Sequence, residues 1–306
     1  MNNLTTRLNA FDTRLEEMRE KLRIPGLALV IVKDGSIVYL KGKGYRNLEE
    51  RLPATEDTLF AIGSTSKAFT ALLVLMAVEE GKLALEDSPK KCLPYFSLKD
   101  PEADQKIMLR DLLTHTSGLD RTDLGLMTGK LSKEQVIRLA GRAEPIAKLG
   151  QEFHYNNVMY IAAGECVAAV MGKPYPELLR ERIFDPLGMK DANASIAKTL
   201  TLPAHAVGYH EFGEQRERRP LPMHLRSYIA AGAGGINASA RDMGQWLRLL
   251  LGRGAVDSQR LISERNFARL WQPYIAAGPS PTASAGAWIS GTANFRSRTT
   301  AASTGS

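Results

Sequence analysis

Apolar residues recur at intervals of three and four near the start of the chain, which places them on one face of a helix. This face consists of Leu8, Phe11, Leu15, Met18 and Leu22. The spacing predicts an amphipathic helix over residues 8–22. Two β-branched apolar runs then flank Lys33-Asp34-Gly35, and an Asp-Gly pair between such runs is typical of a β-hairpin. The chain is therefore predicted to open with a helix and a hairpin.

A long apolar segment from Ala68 to Leu83 predicts a helix that is buried on more than one face and ends near Gly81. Between residues 84 and 200, helical patterns alternate with loops that contain proline, and strand patterns are scarce. Further helices are predicted at 108–113, 132–141, 157–171, 175–183, 239–252 and 261–271. A polar loop is predicted at 204–222, a turn at Gly232 to Gly235, and a strand at 287–289.

Strands at the start and helices in the middle indicate an α+β protein in which the sheet and a helical domain are separate. The sheet domain is predicted from residues 1–60 and 200–306, and the helical domain from residues 61–199. The net charge of +7 is spread along the chain and does not form a clustered basic face. The densest group of basic residues, around Arg218, is interrupted by glutamates, so nucleic-acid binding is not expected.

The two cysteines, Cys92 and Cys166, lack the spacing of metal ligands and are interpreted as small hydrophobic residues. No Gly-rich phosphate loop is recognised, so no cofactor and no metal are predicted. No apolar stretch is long enough to span a membrane. The first residues lack the apolar core of a signal peptide, which predicts a cytoplasmic protein, or a periplasmic or secreted one if a leader was removed.

Ser64 and Lys67 are candidates for nucleophilic catalysis because a serine needs a neighbouring base, and residues three apart share a helix face. The spacing alone is weak, since Ser88/Lys91 and Ser195/Lys198 repeat it. Only Ser64 follows a glycine and opens a long apolar helix. From spacing and context, a nucleophile and a simple helix N-cap both remain open for Ser64.

Tyr155-Asn156-Asn157 is a second candidate, because a phenol near a lysine ammonium can ionise and act as a base. Tyr45-Arg46-Asn47 has the same spacing but ends the second strand of the hairpin. Taken alone, Tyr155 is interpreted as a core or capping residue.

Six segments in one order resemble the serine β-lactamase and penicillin-binding-protein-like family, in its class C β-lactamase, esterase and D-aminopeptidase branch. They are IPGLALVIVKDGSIVYLKGKGYRN, FAIGSTSKAFTALLVLMAVEEGKL, LRDLLTHTSGL, FHYNNVMYIAAGE, RIFDPLGM and AGAGGINASARDMGQWL. The resemblance covers roughly residues 20–272. It implies a β-lactamase/transpeptidase-like α+β fold, with an antiparallel sheet flanked by helices and an all-helical domain.

The resemblance also implies roles for single residues. Ser64 resembles the acylated nucleophile, Lys67 its base partner, and Tyr155 a second base that also serves the deacylating water. Asn157 resembles the residue that orients the substrate amide and Lys67. His115 is interpreted as structural, because it lies away from the other motifs along the chain.

The Lys-Thr-Gly motif that the family carries on an inner strand is absent, and Ser303-Thr304-Gly305 is its candidate substitute in substrate binding. Two explanations are open: a truncated or frameshifted C-terminus, or a divergent motif with Ser303 in place of the basic residue. We favour the first, because a sheet that ended at its central strand would have an unpaired edge and an uncovered face. The motif's strand supplies an oxyanion-hole donor in the family. Its loss would lower the rate on the order of 100- to 1000-fold.

The sequence therefore predicts a serine hydrolase that forms an acyl-enzyme on Ser64 with small-molecule esters, β-lactams or D-amino-acid amides. An esterase or peptidase is favoured over a true β-lactamase, since a cytoplasmic chain would not meet β-lactams. The alternative is a penicillin-binding-like protein that is acylated without turnover, or is inert. The oligomeric state is left open.

Overall fold

The computed structural model describes residues 3–213, 217–221 and 231–275. The chain opens with helix α1 (Asn3–Lys21), which begins five residues before the predicted start. Strands β1 (Gly26–Lys33) and β2 (Ser36–Asn47) then form the predicted antiparallel hairpin. Asp34 and Gly35 both have positive φ, 50° and 73°, as a two-residue turn of this kind requires. Asp-Gly satisfies that requirement with little strain.

The hairpin extends into a three-stranded sheet in the order β1-β2-β3, with β3 at Leu52–Pro53. Helix α1 is tied to it, because the Tyr39 hydroxyl donates to Asp12 Oδ1 at 2.6 Å. A second, two-stranded pairing joins β4 (Phe60–Ala61) to β7 (Asn237–Ala238). This pairing brings the segment before Ser64 next to a distant part of the chain.

Helix α2 (Ser66–Glu79) is the centre of the molecule, and its residues from Ser66 to Ala77 are all buried. It ends four residues before the predicted Leu83, and Gly81, in the left-handed region at φ 69°, follows it. Helix α7 (Asn157–Met171) packs against α2 and has the predicted bounds. The remaining helices are α3 (Pro101–Lys106), α4 (Leu109–Leu113), α5 (Leu124–Met127), α6 (Lys133–Gly141), α8 (Tyr175–Leu179), α9 (Asp185–Leu187), α10 (Ile196–Thr201), α11 (Ala231–Gly234), α12 (Ala240–Leu251) and α13 (Glu264–Ala268).

Helix α12 covers the sheet and connects it to α2. Gly244 allows the close approach, since a Cβ there would lie 2.9 Å from Ile37 and 3.0 Å from Val30. On its other side Trp246 stacks on Phe69 of α2, with ring centroids 3.9 Å apart. One helix thus joins the sheet layer to the helical layer.

Replacing Trp246 with alanine is expected to lower the free energy of unfolding by about 3–5 kcal/mol, since both stacked rings are fully buried. Urea denaturation followed by circular dichroism would measure it. Leu251→Ala, at an exposed position on the same helix, is the control and should change stability by less than about 0.5 kcal/mol. A Trp246→Ala protein as stable as the Leu251→Ala protein would contradict the packing described.

Two predictions of local structure were wrong. The predicted polar loop at 204–222 contains a surface hairpin of β5 (Gly208–Phe212) and β6 (Glu217–Leu221). Two of its facing pairs are polar, Glu211 with Arg218 at 2.8 Å and His210 with Arg219, so no regular apolar alternation marks the strands. The predicted turn at Gly232 to Gly235 contains the one-turn helix α11.

The helix predicted at 175–183 is present and extends beyond its predicted end. It continues from α8 through a π-helical turn (Arg180–Phe184) into α9. The helix predicted at 261–271 is shorter than predicted, as α13 followed by a 3₁₀ turn (Arg269–Trp271).

The arrangement of small antiparallel sheets and many helices confirms the α+β class. The division into domains at residues 60 and 199 stays a prediction. The strand predicted at 287–289 lies outside the described residues. Within the described part of the chain, no helix has the length and apolar character needed to cross a membrane.

Candidate active site

Ser64 lies in a 3₁₀ turn (Gly63–Thr65) that leads directly into α2. The N-cap of α2 is Thr65, without a side-chain cap bond, so Ser64 does not serve as that helix's N-cap. In contrast, Ser88 accepts from the backbone N–H of Lys90, and Ser195 caps α10 by accepting from Lys198 N–H. The capping alternative therefore holds for the other two Ser-x-x-Lys pairs.

The Ser64 hydroxyl lies between a lysine and a tyrosine. Tyr155 OH donates to Ser64 Oγ at 2.6 Å, and Lys67 Nζ lies 3.3 Å from the same oxygen. The two residues that the sequence singled out are thus brought to one atom. This is the arrangement of nucleophile and base that nucleophilic catalysis requires.

Lys67 is only 3% exposed, and its Nζ also donates to Asn157 Oδ1 at 2.8 Å and to the carbonyl oxygen of Ala233 at 2.6 Å. Burial lowers the pKa of Lys67 to about 7, because an ammonium loses its hydration there. The carboxylate of Asp123 opposes this change, and the guanidinium of Arg121 adds to it. A substantial fraction of Lys67 is therefore a neutral amine near pH 7.

Burial raises the pKa of Tyr155, while its bond to Ser64 and the nearby Arg121 lower it. The phenol is therefore protonated at neutral pH, and it donates its proton to Ser64 Oγ. This differs from the expectation that Tyr155 ionises beside a lysine ammonium. The main reason is that burial disfavours the charged phenolate.

Asn157 is the first residue of α7, and both the oxygen and the nitrogen of its side-chain amide form hydrogen bonds. Its Oδ1 accepts from Lys67, and its Nδ2 lies 3.1 Å from each carboxylate oxygen of Asp123. Asp123 in turn lies 3.7 Å from Arg121. The carboxylate fixes which way the amide points, and so presents an acceptor to Lys67.

The intervening Asn156 is fully buried and joins the same loop to the helix. Its side chain caps α7 by accepting from Met159 N–H at 3.1 Å, and its Nδ2 donates to the Asp120 carbonyl oxygen at 2.7 Å and to Thr122 at 3.2 Å. One asparagine thus fixes both the start of α7 and the loop that carries Asp123.

Sequence reasoning missed Arg121, Asp123, Asn156 and Ala233. The first two carried a weak signal, because they are opposite charges beside a resembling motif. Ala233 contributes only a carbonyl oxygen, which no side-chain pattern reveals. His115, which lies away from the other motifs along the chain, is close to them in space, since its ring lies 4.5 Å from that of Tyr155, measured between centroids.

Ser303, Thr304 and Gly305 lie outside the described residues, so their part in substrate binding stays a prediction. In the portion of the chain that the structure describes, no cluster of three or more His, Cys, Asp or Glu side chains could hold a metal ion.

The fold and the Ser-Lys-Tyr grouping are those of a β-lactamase/transpeptidase-like protein. The Beta-lactamase family model matches residues 11–294, and the chain belongs to that family. Members of this family are generally serine hydrolases. The resemblance to β-lactamases and penicillin-binding proteins that the sequence indicated is confirmed.

Among solved structures, the octameric penicillin-binding protein homologue from Pyrococcus abyssi is similar, with a TM-score of 0.77 and 29% identity over 88% of this chain and 61% of that one. The β-lactamase/D-alanine carboxypeptidase from Pseudomonas syringae has a TM-score of 0.70 and 25% identity, over 87% and 70% of the two chains.

Protein flp of Staphylococcus aureus strain MW2 is 32% identical over 202 residues, which is 65% of this chain. This chain spans 40% of that relative's length.

Proposed function

We propose that this protein is an acyl-enzyme hydrolase in which Ser64 is the nucleophile, Lys67 the base and Tyr155 the group that relays the proton. The single observation that carries the proposal is the position of Ser64 Oγ, within reach of both Lys67 Nζ and Tyr155 OH. The lowered pKa of Lys67 supports its role, because a base must be neutral before it can accept a proton.

The hydrogen-bond partners of Lys67 indicate the direction of the proton. A neutral amine has two N–H groups and one lone pair, whereas an ammonium has three N–H groups. The acceptors on Asn157 and Ala233 take two hydrogens and leave the lone pair for the hydroxyl of Ser64. After the transfer, the third N–H of Lys67 faces the Ser64 oxygen.

In the acylation step, Ser64 Oγ bonds to the carbonyl carbon of the substrate while its proton passes to Lys67. The bond from that carbon to the leaving oxygen or nitrogen then breaks. The leaving atom takes a proton from Tyr155 OH, which is hydrogen-bonded to Ser64 Oγ before the reaction. The protonated Lys67 then returns a proton to the Tyr155 oxygen. Deacylation reverses these roles, with water in place of the leaving group.

The proposed substrates are small esters, lactams or amides of D-amino acids, with an esterase or peptidase activity preferred to that of a β-lactamase. The name of the similar P. syringae protein, which joins β-lactamase and D-alanine carboxypeptidase, supports an acyl-transfer site open to both lactams and peptides.

A labelling experiment tests the proposal. A fluorophosphonate or a labelled penicillin is expected to add once to the protein, as measured by intact mass spectrometry, with the adduct on the peptide containing Ser64. Hydrolysis of a p-nitrophenyl acyl ester with a burst followed by steady turnover supports a hydrolase. A burst without turnover would instead support the acyl-trapping alternative. An adduct on another residue would sink the nucleophile assignment.

The pH dependence is a separate prediction. Because Lys67 must be neutral, kcat/KM of the ester should rise through about pH 7 as the amine loses its proton. The Asp123 carboxylate raises this pKa, so Asp123→Asn should move the acid limb to lower pH. The Arg121 guanidinium lowers it, so Arg121→Gln should move the limb to higher pH.

Initial rates in buffers of constant ionic strength would measure both shifts. The two variants are matched controls for each other, since each removes one charge from the same loop. Shifts in the same direction, or none in either variant, would contradict the assignment of Lys67 as the base.

A further inference from the structure

Beyond the groups that touch Ser64, we propose that His115 is a positioning residue that holds Tyr155 in register with Ser64, an inference that rests on the proposed function. Three features support it: the backbone conformation of His115, two hydrogen bonds on either side of Tyr155, and the contact between the two rings.

The two hydrogen bonds bracket Tyr155. The backbone N–H of His154 donates to the carbonyl oxygen of His115 at 2.8 Å, and the backbone N–H of Asn156 donates to His115 Nδ1 at 3.0 Å. One residue therefore accepts from both neighbours of Tyr155 along the chain. A shift of this segment along its own direction would break both bonds.

The backbone of His115 is left-handed, with φ 59°, and in this conformation its carbonyl oxygen and its ring both face residues 154–156. Among residues with a side chain, asparagine, aspartate and histidine adopt this region more readily than others. The residue at position 115 must therefore tolerate a left-handed backbone and also provide a hydrogen-bond acceptor for the Asn156 N–H.

The ring of His115 also packs against the phenol ring of Tyr155. Its centroid lies 4.5 Å from that of Tyr155, with 30° between the planes, and Phe153 and Tyr160 contact it at 5.4 and 5.0 Å. Its side chain is fully buried. The phenol ring of Tyr155 therefore packs against a fixed surface.

Because Nδ1 accepts a hydrogen bond, it carries no proton, and the neutral ring has its proton on Nε2. Within the described residues Nε2 has no partner, and an orphaned buried donor is a cost to stability. Burial, with the charge of Lys67 nearby, lowers the pKa of His115 to about 3, which keeps the ring neutral and Nδ1 an acceptor. The ring thus acts through its acceptor and its shape rather than by proton transfer.

Two substitutions separate the acceptor from the ring. His115→Asn places an amide oxygen near the position of Nδ1 and tolerates the left-handed backbone. His115→Phe keeps an aromatic ring but offers no acceptor to Asn156 N–H. Thr114→Val is the control, since Thr114 is buried in the same turn but bonds to Arg110 and Thr116 rather than to residues 154–156.

The rate of fluorophosphonate labelling and the steady-state constants for an ester are the first readout. His115→Phe should lower the labelling rate and kcat about 10- to 100-fold with little change in KM, because a displaced proton donor slows the reaction more than it weakens binding. Thr114→Val should stay within about threefold of wild type, and His115→Asn, which keeps the acceptor but loses the ring, should lie between it and His115→Phe. Thermal unfolding of each variant checks that it is folded, and His115→Leu, which also lacks an acceptor, replaces the phenylalanine variant if that one is not.

Hydrogen exchange of the backbone amides at 154–156 is the second readout and needs no activity. The Asn156 amide should exchange faster in His115→Phe and remain protected in His115→Asn. Equal labelling rates in the folded Phe and Asn variants, or unchanged exchange at Asn156, would overturn the inference. A wild-type protein that is neither labelled nor active would refute the proposed function instead, and the exchange data would still decide whether His115 positions the segment.

Discussion

Alanine in place of Ser64 is expected to abolish covalent labelling and to lower ester turnover on the order of 10⁵-fold. Every proposed step passes through Ser64 Oγ, which accepts from Tyr155 and lies beside Lys67. Without that oxygen, no acyl-enzyme can form, and water would have to attack the substrate directly. The residual rate would come from substrate binding alone.

The chain supplies its own matched control. Ser195 also precedes a lysine by three residues, but its hydroxyl caps α10. Ser195→Ala should lower the free energy of unfolding by about 1 kcal/mol and leave labelling unchanged. Intact mass spectrometry and initial rates would measure both variants. Labelling that persists in Ser64→Ala would show that another residue is the nucleophile.

Methionine in place of Lys67 is expected to lower kcat/KM on the order of 10³-fold, because a positioned general base contributes about 10²- to 10⁴-fold. Methionine has nearly the same length but neither lone pair nor charge. The hydroxyl of Ser64 would then lack a group that can accept its proton, while Tyr155 remains a protonated phenol. The acid limb of the pH profile near pH 7 should disappear together with the amine.

Lys198→Met is the control, since Lys198 follows Ser195 in the same spacing but lies on the exposed surface. It should retain wild-type rates and the wild-type pH profile. Stopped-flow measurement of the burst distinguishes slow acylation from slow deacylation in Lys67→Met. If the variant keeps an acid limb near pH 7, a different group titrates there, and Lys67 is not the base.

Much of the local structure was readable from the sequence because local chemistry determines it. The Asp34-Gly35 turn needs two residues that tolerate positive φ, and the chain provides them between two β-branched runs. The apolar pattern of α7 predicted its bounds at 157 and 171. The hairpin of β5 and β6 was missed because its strands are polar and are paired on the surface.

In the candidate site, too, some residues could be found from the sequence and others only from the structure. Ser64, Lys67, Tyr155 and Asn157 were chosen from sequence because their residue types and order resemble a family. The resemblance did not say that Asp123 holds the Asn157 amide or that His115 lies behind Tyr155. Neither position has a spacing that relates it to Ser64, since the two contacts form only when residues 115–123 meet residues 154–157 in the folded chain.

The sequence by itself determined the α+β class, the main helices, the hairpin and the four residues proposed for the chemistry. The helices and the hairpin followed because helix, turn and strand preferences are properties of neighbouring residues, whereas the four residues followed from the resemblance to a family. Only the tertiary structure decided that Lys67 is buried, and that Asn157 and Ala233 take two of its hydrogens. These facts depend on residues far apart along the chain, and they set the protonation of the lysine, because charge and hydration depend on everything that surrounds a group.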